Sequence, residues 1–289
     1  METTQMGKCA LCGEEKELQL SHIVPNFVGK RLKSTSPGSI RNTNEPNKVV
    51  QDIEKHFMLC HDCEELFSKS EVWFANHIFN PYENKSEEIF DYDENLSYFI
   101  ISLSWSLYLD LEEFKKEPDF DKNILMTLLH SEKIMREYLL HKRKDIGTIE
   151  NHIFFMDRIQ MVSKIDASKK PSAAMHRSIS SYTAYNGKTS FTVSNLLGVL
   201  IVTFYSMENN EQWENTQISL GSGRIEAIDQ HMTSVVGQEI EFWMDQAEEA
   251  KDKLSPAQRQ KIEDKFKKLG NNIKNYPIYQ DFEDDNNLK

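Results

Sequence analysis

Every cysteine of the 289-residue chain belongs to a Cys-x-x-Cys pair: Cys9 and Cys12 in CALC, Cys60 and Cys63 in CHDC. In a reducing compartment such pairing points to metal rather than to disulfides. Two pairs supply four thiolates, the ligand set of a closed tetrahedral zinc site with Zn–S bonds of about 2.3 Å. A structural Zn2+ held by Cys9, Cys12, Cys60 and Cys63 is therefore expected. The 47 residues between Cys12 and Cys60 exceed a compact zinc ribbon, so a sizeable loop or subdomain must lie between the two halves of the site.

That insertion carries the next chemically able group. In LSHIVPNFVGKRLK, residues 20–33, His22 stands before a proline and a run of cations. An imidazole that titrates near neutrality suits a general base, and a metal knuckle would hold it in place. The alternative is a structural histidine in a binding module. Lys30, Arg31, Lys33, Arg41 and Lys48 oppose Glu45 alone between residues 30 and 48, a local charge of +4 on a chain whose formal net charge is −12. The acidic whole opposes nonspecific adhesion to nucleic acid, whereas the basic strip fits local phosphate contact or a solvated loop.

The elements that must position these groups follow from periodicity. ELQLSHIV reads as a short strand, followed by a basic loop, and STSPGSIRNTNEPNK is too rich in Ser, Pro, Gly and Asn to be regular. From Cys63 a helix places Leu66, Phe67, Trp73, Phe74 and Ile78 on one stripe, and NPYENKSEE ends it as a linker. Beyond it, ENLSYFIISLSWSLYLDLEEF reads as a buried helix. DFDKNILMTLLHSEKIMREYLLHK is an amphipathic helix capped by Asp119 or Asp121. NHIFFMDRI is strand-like, Asn186–Gly187 is placed as a two-residue type I′ hairpin turn, and residues 196–207 form a central strand. A helix contains VGQEIEFWMDQAEEAKDKL, and Ser255–Pro256 opens the last one. The expected class is α+β: an N-terminal zinc-bound module over 1–90, then a mixed helical domain with a small antiparallel sheet over 91–289. No apolar run reaches membrane-span length, and METTQMGKCALC lacks the pattern of a secretion signal, so a cytoplasmic protein is expected.

In order, Cys9, Cys12, SHIVP, Leu59, Cys60, Cys63 and the helix after them resemble the HNH, or ββα-metal, endonuclease family over about the first 80 residues. The resemblance implies metal-dependent hydrolysis of nucleic-acid phosphodiesters, DNA more than RNA. Nucleases of that sort often serve in bacterial anti-phage defence. By position His22 would be the base, and a Mg2+ or Mn2+ ion would sit against the phosphate. Three positions depart from the family pattern: Ser21 precedes the base, Lys55 stands where Asn is usual, and Glu64 follows the last cysteine where His is common. Glu64 would take over metal binding, since a carboxylate suits a hard dication, with His56 or Asp52 completing the shell. Glu64, Ser68 and Glu71 share a helix face, and Glu71 reads there as a solvated carboxylate. Lys30, Arg31, Lys33, Arg41 and Lys48 would contact the nucleic-acid backbone. Residues 91–289 hold no catalytic signature: His130, His152, His176 and His231 read as structural, and a regulatory, sensing or oligomerising role with a partner protein or a second copy is the expectation. The rival is a zinc-knuckle module that binds nucleic acid or protein without cutting.

Overall fold

The two ends of the insertion pair with each other as strands, which is how the two cysteine pairs meet. The computed structural model describes residues 4–156 and 169–287. β1 (Thr4–Lys8), β2 (Glu15–His22) and β3 (Lys55–Cys60) form an antiparallel sheet in that order. Leu18 lies opposite Cys60 and His22 opposite Lys55, with a register shift between Gln19 and Leu20.

The segment expected as a basic loop after Pro25 begins as a helix, α1 (Asn26–Ser34). Proline pre-sets the entry to a helix, and Val28 is fully buried while Phe27 and Leu32 pack on the same cluster. Residues 35–54 are irregular, as their composition predicts, with an isolated bridge between Arg41 and Val49.

α2 (His61–Phe74) runs through a π-helical turn, Ala75–Phe79, into α3 (Asn80–Glu83). The helix thus passes Pro81, where the sequence reading had it end. A π turn loosens the regular bonding pattern and accommodates the missing proline N–H. Phe67, Phe74 and Ile78 of the expected stripe are buried.

The larger sheet has the order β10-β5-β8-β7-β6, all antiparallel: β5 (Glu150–Phe155), β6 (Ile179–Asn186), β7 (Thr189–Leu196), β8 (Val199–Ser206) and β10 (Gln217–Ile218). Asp157, Arg158 and Ile159 of the strand expected around β5 lie outside the described residues. The β6–β7 turn is one residue later than expected. Asn186 pairs with Thr189, so the central residues are Gly187 and Lys188, and only Gly187 has positive φ (60°). A single positive φ at the first central position is the II′ pattern. The turn with two positive values is Leu197–Gly198 (56° and 95°), between β7 and β8 inside the apolar run.

Small ribbons join β4 (Ile89–Tyr92) to β11 (Gly223–Glu226) and β9 (Gln212–Glu214) to β12 (His231–Thr233). The expected buried helix is two: α4 (Glu94–Ser104) and α5 (Leu107–Phe114), parted at Trp105. α6 (Lys122–Leu139) is capped by Asp121, whose carboxylate accepts from Asn123 N at 2.7 Å and Ile124 N at 3.1 Å. α7 (Pro171–His176), α8 (Gly237–Asp252), α9 (Pro256–Leu269) and α10 (Pro277–Asn287) complete the set. Ser255 caps α9 as expected, but the acidic end of the chain is itself helical. No helix among the described residues is long and apolar enough to cross a membrane.

The core does not part at residue 90. Leu11, Leu18, Leu59 and Phe67 share one apolar cluster with Trp105, Leu128 and Leu139; Val28, Phe74 and Ile78 share another with Leu96 and Ile201. The fold is therefore mixed α+β, with both sheets antiparallel.

Candidate metal centre and histidine site

The first cysteine pair sits on a tight turn after β1. Gly13 N donates to Cys9 O at 2.9 Å, and Gly13 takes φ 81°, which glycine reaches without steric cost. Ala10 N donates to Met58 O at 2.8 Å, which holds this turn against β3. Cys60 ends β3 and Cys63 lies in the first turn of α2. The four sulfurs lie within 4.8 Å of one another, with Cys12 Sγ and Cys60 Sγ 4.0 Å apart. Tetrahedral bonds of about 2.3 Å place sulfurs roughly 3.8 Å from each other, so the set fits zinc.

Electrostatics agree. Cys9 is driven down to about 4, chiefly by a hydrogen bond from Cys63, while that bond and burial push Cys63 far up. Burial also raises Cys12. One thiolate forms readily, while burial and the shared hydrogen bond hold Cys63, and burial Cys12, against ionising; a dication removes that resistance.

His22 closes β2 at the end of the sheet remote from the cysteines. Asp52 Oδ2 lies 3.4 Å from His22 Nε2 and 2.7 Å from Lys55 Nζ, and Asp52 Oδ1 lies 3.9 Å from Lys33 Nζ. The hydrogen bond from Lys55 holds Asp52 down to about 2. Burial pushes His22 below its ordinary 6.5, helped by the Lys55 and Lys30 charges and opposed by Asp52. The ring is therefore neutral at pH 7. A proton on Nε2, bonded to Asp52, leaves the Nδ1 lone pair with no partner among the described residues.

Glu71 differs from the sequence reading. It is not a solvated carboxylate: it lines a small cavity of about 20 Å3 with His22, Met58, Phe67, Phe99 and Ser102. Burial, then the nearby Glu64 charge, pushes its carboxyl up to about 7. Glu64 and His56 are both half-buried, and His56 is bonded to Glu54 Oε1 at 2.8 Å. Ser21 is buried, its hydroxyl 3.5 Å from Gln19 O. Among the described residues no group of three His, Cys, Asp or Glu side chains other than the cysteines converges closely enough to hold a cation.

The basic strip is divided. Arg31 turns inward, its Nε 3.2 Å from Glu83 Oε2 and its Nη2 donating to Glu83 O at 2.9 Å. Lys33 Nζ donates to Gln51 O at 2.5 Å. Arg41 donates to Pro46 O at 2.6 Å and to Gln258 Oε1 at 3.0 Å. Lys48 is exposed beside Glu45 at 3.6 Å, and Lys30 is exposed near His22. The Arg31–Glu83 pair spans 52 positions, and nothing local in the sequence announces it. Asp52 carried a signal, being an acid in the insertion three residues before Lys55.

Comparison with protein-family models, with curated proteins and with solved structures finds no match to this chain.

Proposed function

We propose that the N-terminal unit is a zinc-stapled phosphodiester hydrolase of HNH type in which His22 is the general base. The observation that carries this reading is the contact of His22 Nε2 with Asp52, itself clamped by Lys55, at the end of a strand tied to β3 and α2 by the four cysteines. Asp52 fixes the tautomer and Nδ1 accepts the proton of an attacking water. The cavity between His22 and Glu71, about 20 Å3, is roughly the size of one water. Lys30, exposed beside the ring, offers a phosphate contact.

A second reading is favoured by two observations: no second cation site is assembled among the described residues, and Arg31, Lys33 and Arg41 are engaged within the chain. It makes the unit a binding module that does not cut. Plasmid and single-strand cleavage in Mg2+ and then Mn2+, with zinc content measured in wild type and His22→Ala, separates the two. Loss of cleavage in a zinc-loaded His22→Ala supports the hydrolase. Cleavage that survives in this variant removes His22 from the chemistry, and inert wild type with nucleic-acid affinity favours the binding module.

A further inference from the structure

Among the described residues β6 is an edge strand, and half of that edge opens into a cleft. Among the described residues the sheet order ends at β6, which pairs there with β7 alone, in unbroken register from Ile179–Leu196 to Asn186–Thr189. Thr183 N donates to Asp110 Oδ2 of α5 at 2.8 Å, so this N–H points away from β7. Backbone groups of an antiparallel strand alternate sides with a period of two. Ile179 and Ser181 therefore also turn their N–H and C=O groups outward, and neither bonds a backbone group of any described residue there. Folded proteins cover or blunt such edges. Here α5 covers the edge at Thr183 and leaves it open at Ile179 and Ser181.

Both residues line an open cleft of about 750 Å3 together with Ile40, Arg41 and Asn42 of the insertion and Ile278 of α10. The volume lies within the range of ligand sites. Arg41 lines this cleft with its guanidinium held by two neutral acceptors, Pro46 O and Gln258 Oε1, and no carboxylate of a described residue stands within ion-pair distance. Its charge is thus oriented without an ion-pair partner among the described residues, although Asp52 and Glu54 line the same cleft. No aromatic ring lines the cleft. Single-stranded nucleic acids bind largely by stacking on such rings, whereas an open strand edge with aliphatic walls suits an added strand.

We propose that the cleft takes an extended, carboxylate-bearing peptide segment of a partner protein, which adds to β6 as a sixth strand and sets an acidic side chain against Arg41. The cleft also includes Ile23 and Asp52, so the peptide would lie beside the His22 site.

The test passes a pool of capped hexapeptides, with Asp or Glu alternating with Val or Ile, over the immobilised full-length chain and identifies retained members by mass. Ser181→Pro removes an outward N–H without touching the β7 ladder, a position where an edge strand tolerates proline. Retention by wild type, loss in Ser181→Pro and about tenfold weaker binding in Arg41→Gln are the expected results. The best-retained peptide, remade with N-methyl groups on one or the other set of alternate amides, should bind in one register and fail in the other; this arm needs only wild-type protein. The proposal is overturned if wild type retains no member above the background of a folded Ser181→Pro. Equal binding of both N-methylated peptides overturns it, as does retention of hexathymidylate in place of peptide with release by Arg41→Gln.

Discussion

At the scale of single residues, the neighbours of His22 decide what it can do. Burial and the two lysine charges lower its pKa below 6.5. A base works only when unprotonated, so cleavage should hold its plateau below pH 6.5 and fall as acid protonates the ring at its depressed pKa. Asp52 raises that pKa, so Asp52→Asn should shift the acid limb to lower pH and, by releasing the tautomer, cut the plateau rate roughly 100-fold. A pH–rate profile of both proteins reads each effect separately. Arg31 answers a different question. Its partner Glu83 is largely removed from solvent, its side chain 11 % exposed, and this partial burial raises its carboxyl against the pull of Arg31. Arg31→Ala should therefore destabilise the chain by roughly 3 kcal/mol in urea unfolding, because a largely buried carboxylate loses its partner. Nucleic-acid affinity should change little; a variant of full stability with weakened binding would return Arg31 to the phosphate-contact strip.

At the scale of elements, the acidic end of the chain shows how a charge run can be structural. Asp285 of α10 accepts from Ser172 N at 2.8 Å and Ala173 N at 3.0 Å, capping α7 from 112 or more positions away. Asp281 of the same helix meets His176 Nδ1 at 3.0 Å and Arg177 Nε at 2.9 Å. Both aspartates are buried. Free N–H groups of a first helical turn favour an anionic acceptor. Asp285→Ala should cost about 1–2 kcal/mol and speed amide exchange in α7 and α10 together. Unchanged exchange in α7 would show that the cap contributes nothing. The β7–β8 turn is the converse case: Leu197–Gly198 bends inside a largely apolar run, so hydrophobicity hid a turn that backbone angles display.

At the scale of the whole molecule, the cysteine site and the helices after residue 90 form one packed body. Trp105 fills the cluster that contains Cys9, Leu59 and Phe67, and its indole donates to buried Glu132 at 2.9 Å. Two predictions belong here. Metal analysis of the full chain should find about one zinc, and chelation should lower the unfolding midpoint, since site assembly and folding are coupled. A fragment of residues 1–90 should fail to give a cooperative transition even with zinc, because the walls supplied by Trp105, Leu128 and Leu139 are missing. A sharp thermal transition in that fragment would show the first unit to be self-sufficient.

What the sequence determined by itself is what local spacing encodes. Two Cys-x-x-Cys pairs with none left over announce four converging thiols, Asp121 and Ser255 announce helix starts, and Phe67, Phe74 and Ile78 announce a buried helix face. Each signal needs only a few neighbouring residues, because caps, knuckles and helical period are properties of a turn or two of chain. The HNH resemblance likewise came from local patterns, while the function it implies awaits the cleavage assay. Only the tertiary structure decided which charges meet. Glu71 looked like a surface acid until α4 packed beside it and His22, Arg31 looked like a phosphate contact until Glu83 claimed it, and the acidic tail carried no sign that it would cap α7. Whether a charged side chain faces water or a partner depends on packing between segments far apart in sequence, and desolvation decides its protonation only after that packing is made.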